Sequence, residues 1–188
     1  MNKVVCLVGM CGSGKSVVGE EFVKHGYKYI RFGQIVMDTI KERGLEVSEE
    51  NERKIREGLR AEHGMAAFAI LNLPKIETLL KEGNVIADGL YSWDEYKVLK
   101  EHFSDKLAVI AIIVPPELRY TRLEARTQVD EKMINRPMTR EMAKKRDYAE
   151  IENSDKGGPI AMADYNIFNT GTFEEFLAEI NRVIKELE

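Results

Sequence analysis

The stretch Gly9-Met10-Cys11-Gly12-Ser13-Gly14-Lys15-Ser16 restricts what this chain can fold into more than any other. It has the form G-x-x-x-x-G-K-[ST], a loop that wraps the phosphates of ATP or GTP. Such a loop needs a strand before it and a helix after it. Val4-Val5-Cys6-Leu7-Val8 is a short apolar run rich in β-branched residues, which reads as a buried strand. From Ser16 onward Val17, Val18, Phe22 and Val23 recur at helical spacing. Gly9, Gly12 and Gly14 let the backbone turn tightly and aim its N–H groups inward, where the helix N-terminus adds partial positive charge. Lys15 is then placed to reach the β- and γ-phosphates, and the Ser16 hydroxyl to hold Mg²⁺. The expected ATP-binding set is Gly9, Gly12, Ser13, Gly14, Lys15, Ser16 and Val17.

With 188 residues, 44% hydrophobic and 32% charged, the chain suits one globular domain with room for short insertions. No apolar run approaches the length of a membrane span. The first strand begins almost at Met1, so no signal peptide is expected. Cys6 and Cys11 are the two cysteines. They exclude a disulfide framework and a Cys-based zinc site, and they fit a reducing, cytoplasmic setting. A net charge of −4 offers no general attraction to nucleic acid. Charge is unevenly spread, however: from Arg119 to Arg146 nine Lys or Arg stand against four Asp or Glu. In a chain that binds a triphosphate, that bias suggests phosphate clamping.

Further along, Tyr27 to Phe32 alternates like a strand ending at Gly33, and residues 34–44 carry a helical pattern. Ser48 marks another helix start, and the charged stretch after it suits a surface or a cleft wall. Met65 to Leu80 reads as a core helix that Pro74 should kink or split. Asn84 to Asp88 and Leu107 to Val114 are buried strands, separated by a polar helix from Trp93. Pro115-Pro116 opens a helix to about Arg126; residues 127–137 read as a mobile connection, and a helix follows from about Thr139 to Ile151. Ser154 to Pro159 reads as a Gly-rich loop, Tyr165 to Phe168 as a strand, and Thr172 as the cap of a final amphipathic helix. Five strands alternating with helices imply an α/β protein: a three-layer α/β/α fold with a five-stranded parallel sheet. Ligands in such sheets bind at the carboxyl ends of the strands, which puts the phosphate loop, Phe32, Gly33, Asp88 and Gly89 on one rim.

On that rim Asp88 is expected to hold Mg²⁺ or to accept a proton. Its alternative is a turn aspartate before glycine. Arg122 and Arg126 lie one helical turn apart, and Arg136, Arg140 and Arg146 follow; arginine forks of this kind stabilise charge on a transferring phosphoryl group. Arg60, with Arg53 and Arg56, offers an anchor for a second phosphate or an ordinary surface charge. Tyr91 and Trp93 offer base stacking or rim packing.

Taken together, these motifs resemble the P-loop nucleoside monophosphate kinase superfamily, which includes adenylate kinase and dephospho-coenzyme A kinase. Phe32-Gly33-Gln34 onward to Glu42-Arg43-Gly44 is similar to the monophosphate-binding helices of archaeal-type adenylate kinases. Asp88-Gly89 resembles the Asp-Gly pair after the third strand, and Arg136, Arg140 and Arg146-Asp147 resemble the arginine-rich lid. Ala163-Asp164-Tyr165, Ile167, Asn169 and Gly171 are similar to the C-terminal strand and adenine-side loop of dephospho-coenzyme A kinase, and residues 160–165 to adenylate-kinase-related proteins. The resemblance implies a single kinase domain, with an acceptor-binding insertion at about 33–64 and a lid at about 122–146. It implies transfer of the γ-phosphate of ATP, with Mg²⁺, to a small phosphorylated acceptor such as a nucleoside monophosphate. The catalytic set is then Lys15, Asp88, Arg122, Arg136 and Arg140, with metal at Ser16 and Asp88. The acceptor would meet Phe32, Gly33, Arg60, Gly89 and Tyr91, while Asn169 and Gly171 flank the adenine. Two departures leave alternatives open. Leu90-Tyr91 follows Asp-Gly where many of these kinases carry an arginine, and Gln34 and Met37 replace an acid and an arginine. A dephospho-coenzyme A kinase-like enzyme and a non-catalytic ATP- or AMP-binding module remain as rivals. Neither a nucleic-acid nor a membrane partner is expected.

Overall fold

The structure, a computed structural model, describes residues 1–126 and 138–188. Its sheet has the order β2-β3-β1-β4-β5, with every neighbouring pair parallel. The strands are β1 (Val4–Val8), β2 (Lys28–Arg31), β3 (Val85–Asp88), β4 (Leu107–Ile113) and β5 (Tyr165–Phe168). All five residues of β1 are buried, as a central parallel strand covered on both faces requires. Between strands run α1 (Lys15–Lys24), α2 (Gln34–Glu42), α3 (Glu49–His63), α4 (Ala67–Leu80), α5 (Trp93–Phe103), α6 (Pro116–Glu124), α7 (Arg140–Ser154) and α8 (Gly157–Ala161). The chain closes with α9 (Phe173–Leu187).

Alternation along the strands builds two cores. On one face Val4, Cys6, Val8, Ala87 and Val109 pack with Phe32, Val36, Phe68, Ile76 and Leu99, so α2, α4 and α5 cover that side. On the other face Val5, Leu7, Ile86, Ile110 and Ile112 pack with Val18 and Phe22 of α1 and with Phe176, Ile180 and Ile184 of α9. A smaller cluster of Tyr120, Leu123 and Ala143 joins α6 to α7, with Cys11 of the phosphate loop packed against it. This three-layer α/β/α arrangement is the fold expected from the alternating pattern.

Local sequence explains four of the helix starts. Ser48 accepts from the Asn51 N–H, Thr139 from Met142, and Ser92 with Glu95 and Thr172 with Glu175 form complete capping boxes. Two expectations need correction. First, α4 runs unbroken across Pro74. The proline removes a donor that would have served the carbonyl of Ile70, and Ile70 is on the exposed side of the helix. Phe68, Ala69 and Ile76 on either side of it are buried, and their packing keeps the helix from splitting. Second, the stretch after Ser154 is not all loop. Asp155 takes a left-handed conformation (φ 49°) that ends α7, and α8 follows at once. Gly158 is needed there, because a Cβ would lie 2.8 Å from the Trp93 ring.

Candidate active site

The loop between β1 and α1 has the backbone that a phosphate cradle needs. Gly9, Gly12 and Gly14 have φ of 154°, 80° and 100°, in or at the edge of the region that only glycine enters cheaply. There is no room for side chains either. A Cβ on Gly14 would lie 2.6 Å from Asn169 Nδ2, and one on Gly12 would lie 3.1 Å from the Arg119 carbonyl. The Ser13 N–H donates to the Met10 carbonyl at 3.2 Å and closes the turn. Lys15 folds back over the loop, where Nζ donates to the carbonyls of Gly9 (2.8 Å) and Met10 (3.2 Å). Burial, and then the nearby Lys156 ammonium, push its pKa below the ordinary lysine value against the pull of Asp88 and Tyr91. Ser16 is exposed on the first turn of α1, with Val17 beside it.

Strand register brings Asp88 to this loop. Leu7 pairs with Asp88, so the last residue of β3 stands where β1 runs out into the cradle. Tyr29 on β2 donates its hydroxyl to Asp88 Oδ2 at 3.2 Å, which leaves the other carboxylate oxygen available. Ser16 and Asp88 are the donor types Mg²⁺ takes when nucleotide phosphates supply further oxygens. Among the described residues, no three His, Cys, Asp or Glu cluster to hold a metal by themselves. The glycine cradle and this two-residue donor set fit a nucleotide with Mg²⁺.

Asn169 and Arg122 complete that side. Asn169, just past β5, donates Nδ2 to the Ser13 carbonyl at 2.9 Å, and its Oδ1 accepts from Arg122 Nη2 at 3.3 Å. The buried Nη1 of Arg122 has no partner among the described residues. A guanidinium left partly unbonded next to a phosphate cradle is primed for an anion. Gly171 is committed elsewhere: it packs against the Glu175 carboxylate that caps α9.

A second group of charges converges from α7. Arg119 Nη1 and Nη2 bond both Asp147 oxygens at 2.9 and 2.6 Å, and Nη1 also reaches the Cys11 carbonyl at 3.1 Å. Tyr120 donates to the same aspartate at 2.9 Å. This buried fork pins α6 and α7 to the phosphate loop. One residue earlier on α7, Arg146 donates Nη2 to the Tyr91 hydroxyl at 3.0 Å and Nε to Glu150 at 2.9 Å. The other oxygen of Glu150 accepts from Lys156 Nζ at 2.6 Å, and that ammonium lies 4.0 Å from the centre of the Tyr91 ring. Burial alone would raise the Glu150 carboxyl, but Lys156 and Arg146 outweigh it and pull its pKa down to about 2. Arg146 is held firmly charged, chiefly by Tyr91, with Cys11 and Glu150 adding to it against burial.

Beneath Tyr91, Glu95 is fully buried. Its Oε2 accepts from the N–H groups of Tyr91 and Ser92 at 2.7 and 3.2 Å, whereas Oε1 has no partner among the described residues. Burial raises its pKa to about 7, despite those N–H groups and the positive charges of Arg60 and Lys156.

The structure thus gathers Lys15, Asp88, Tyr91, Arg122 and Asn169 around the cradle. Arg140 stands apart: it pairs with Glu117 and Glu124 and covers the Tyr120 ring, in a surface hollow between α6 and α7. Arg136 lies outside the described residues. Arg60 stacks over Phe68 with a buried Nε, while Arg53 and Arg56 pair with acids along α3. Phe32 is a core residue and Gly33 begins α2, so a ligand there would meet backbone. Gly89 (φ 103°) makes the turn that leads Tyr91 back over the rim. Trp93 is occupied by stacking on Tyr96. The sequence reading missed Glu95, Glu150 and Lys156. The Ser92-x-x-Glu95 spacing is a legible capping signal. Nothing local marks Lys156.

Comparison with known proteins agrees with this architecture. The model of a family described as AAA domain matches residues 5–153. A UPF0200 protein of Thermococcus kodakarensis is 38% identical over 98% of this chain and 97% of its own length. A UPF0200/UPF0201 protein of Archaeoglobus fulgidus is 35% identical over 98% of this chain, which spans 56% of that longer protein. Among solved structures, shikimate kinase from Bacteroides thetaiotaomicron superposes with a TM-score of 0.61 at 15% identity, covering 98% of both chains. A gluconokinase from Sinorhizobium meliloti 1021 gives 0.55 at 19% identity, over 99% of this chain and 95% of its own. At these identities the likeness is one of fold. The fold is that of the P-loop kinases.

Proposed function

We propose, on the premise that this chain belongs to the UPF0200 family and to the AAA-domain family of P-loop proteins, that it is an ATP-dependent phosphotransferase. Its acceptor is a small phosphorylated molecule, most simply a nucleoside monophosphate. The reading rests chiefly on one observation: the cradle of left-handed glycines carries Lys15 at its mouth and the unpartnered Nη1 of Arg122 at its side.

The roles follow from the geometry. The N–H groups of residues 12–16 surround the phosphates, and Lys15 exchanges its two carbonyl partners for phosphate oxygens. Ser16 and Asp88 would hold Mg²⁺, which would supply neutralisation of the phosphate charge. Arg122, braced by Asn169, lends its free N–H to the oxygens on which charge develops. In the transfer, the bond from the γ-phosphorus to its bridging oxygen breaks as a bond to the acceptor oxygen forms, and ADP departs. A phosphate acceptor brings an oxygen that is already deprotonated, so no general base is needed. A hydroxyl acceptor would hand its proton to Asp88.

The test is ADP release from ATP and Mg²⁺ with nucleoside monophosphates and with dephospho-coenzyme A as acceptors. Turnover with at least one monophosphate, abolished in Lys15→Ala, is the expected result. Transfer confined to dephospho-coenzyme A would reassign the acceptor. Absence of turnover with all of them, or full activity in Lys15→Ala, refutes the kinase reading.

A further inference from the structure

Lys156 is 1% exposed and lies at the junction of α7 and α8, far in sequence from the phosphate loop. Burying an ammonium is costly unless it is paired, and this one also lies close enough to Lys15 to oppose its charge. Folding does not require two like charges at that spot. Arg146 adds a third cation, and it shares the single Glu150 carboxylate with Lys156. Lys15, Lys156 and Arg146 therefore lie about Tyr91 with Asp88 and Glu150, and Glu95 is the further acid in reach. Burial favours the neutral form of Glu95, so the three cations face Asp88 and Glu150, and Tyr91 spans the cluster by its ring face and its hydroxyl.

We infer that Lys156 and Arg146 form a second anion-receiving pair beside the ATP cradle, that the anion is the acceptor's phosphate, and that Glu150 is its built-in competitor. The inference rests on the kinase reading and narrows it. The Arg146 side chain is 42% exposed, whereas Glu150 and Lys156 are 9% and 2%, so the anion enters from the Arg146 side. Rotation of the Glu150 side chain releases both cations to it, and Tyr91 keeps them in place from below. A dianionic phosphate holds two cations better than one carboxylate does, whereas an uncharged group leaves Glu150 where it is. Lys156 thus determines specificity: an acceptor must carry a phosphate to displace the internal acid. It also brings positive charge to Tyr91, within the Leu90-Tyr91 pair that follows Asp88-Gly89 in place of an arginine.

Calorimetric titration tests this. The intact protein is first saturated with ADP and Mg²⁺, then titrated with AMP, CMP, GMP and UMP, each against its nucleoside. At least one monophosphate is expected to bind, and its nucleoside to bind far more weakly. Lys156→Met should weaken that monophosphate by about 10- to 100-fold and leave ATP affinity within about threefold. Lys156→Arg should restore most of the loss. The double variant Glu150→Gln with Lys156→Met removes both buried charges together, so it keeps the fold if Lys156→Met alone does not. It should still bind the monophosphate weakly. Recovery of tight binding in that double variant would make Lys156 only a structural partner of Glu150 and overturn the inference. So would equal binding of nucleoside and monophosphate, unchanged affinity in Lys156→Met, or ATP binding with no monophosphate bound at all. Failure of ATP itself to bind would instead refute the kinase reading.

Discussion

Gly14 shows how tightly single residues are specified here. Its φ of 100° and the 2.6 Å approach of Asn169 to a Cβ act together, so Gly14→Ala strains the backbone and pushes away the bridge to Arg122. The expected cost is about 1–3 kcal/mol of stability with loss of ATP binding, read by chemical denaturation and calorimetry. Glu95 gives a second prediction. Its pKa is raised from 4.5 to about 7, so the folded protein binds a proton there that the unfolded chain has lost. Stability from this group is present at low pH and fades as pH rises from about 4.5 to 7, by up to about 3 kcal/mol. Glu95→Gln should therefore gain on the parent at pH 8 relative to pH 5, as measured by urea melts at both values. An equal difference at the two pH values would show that Glu95 titrates normally.

At the level of elements, the joint between α6, α7 and the phosphate loop is the decisive contact. The Arg119 fork to Asp147 is buried, and one of its nitrogens also holds the loop at Cys11. Arg119→Met leaves Asp147 as an uncompensated buried charge, so a loss of about 3–5 kcal/mol is expected in denaturant melts. Arg119→Met with Asp147→Asn should recover part of that loss, because the orphaned charge is gone. Arg140 lies on the outer side of the same joint, tied to Glu117 and Glu124. In steady-state assays Arg140→Ala should keep kcat within about threefold, whereas Arg122→Ala should lower it about 100-fold or more. A large loss in Arg140→Ala would show that α7 turns over the site during the reaction.

Across the whole molecule, the proposed nucleotide side is one rim of the sheet, and the two cores lie on its faces. Binding there should act as a clamp on the folded state. ATP with Mg²⁺ at 100 times its dissociation constant adds about 2.7 kcal/mol, which for a chain of this size raises Tm by about 5–10 °C. Differential scanning calorimetry reads this shift, and Lys15→Ala should lose it. No helix among the described residues is long and apolar enough to cross a membrane.

The order of the strands, the glycine turn before α1 and the place of Asp88 at the end of β3 were legible in the chain itself. Each depends on local chemistry: apolar runs for buried strands, glycines for left-handed turns, Ser92 and Thr172 for helix starts. The arginines were legible as a biased stretch but not as individuals. Which of them faces the cradle depends on how α7 docks, and docking brings Arg146 to Tyr91 and Arg140 to Glu117 and Glu124. Pro74 does not split α4, because buried residues before and after it outweigh one lost backbone bond. Lys156 and Glu150 had no sequence signal, since a buried ion pair looks like two surface charges until the fold removes water from around it. Spacing along the chain marked which residues are candidates to hold phosphate. Burial and docking, which exist only in three dimensions, decided which charges meet there.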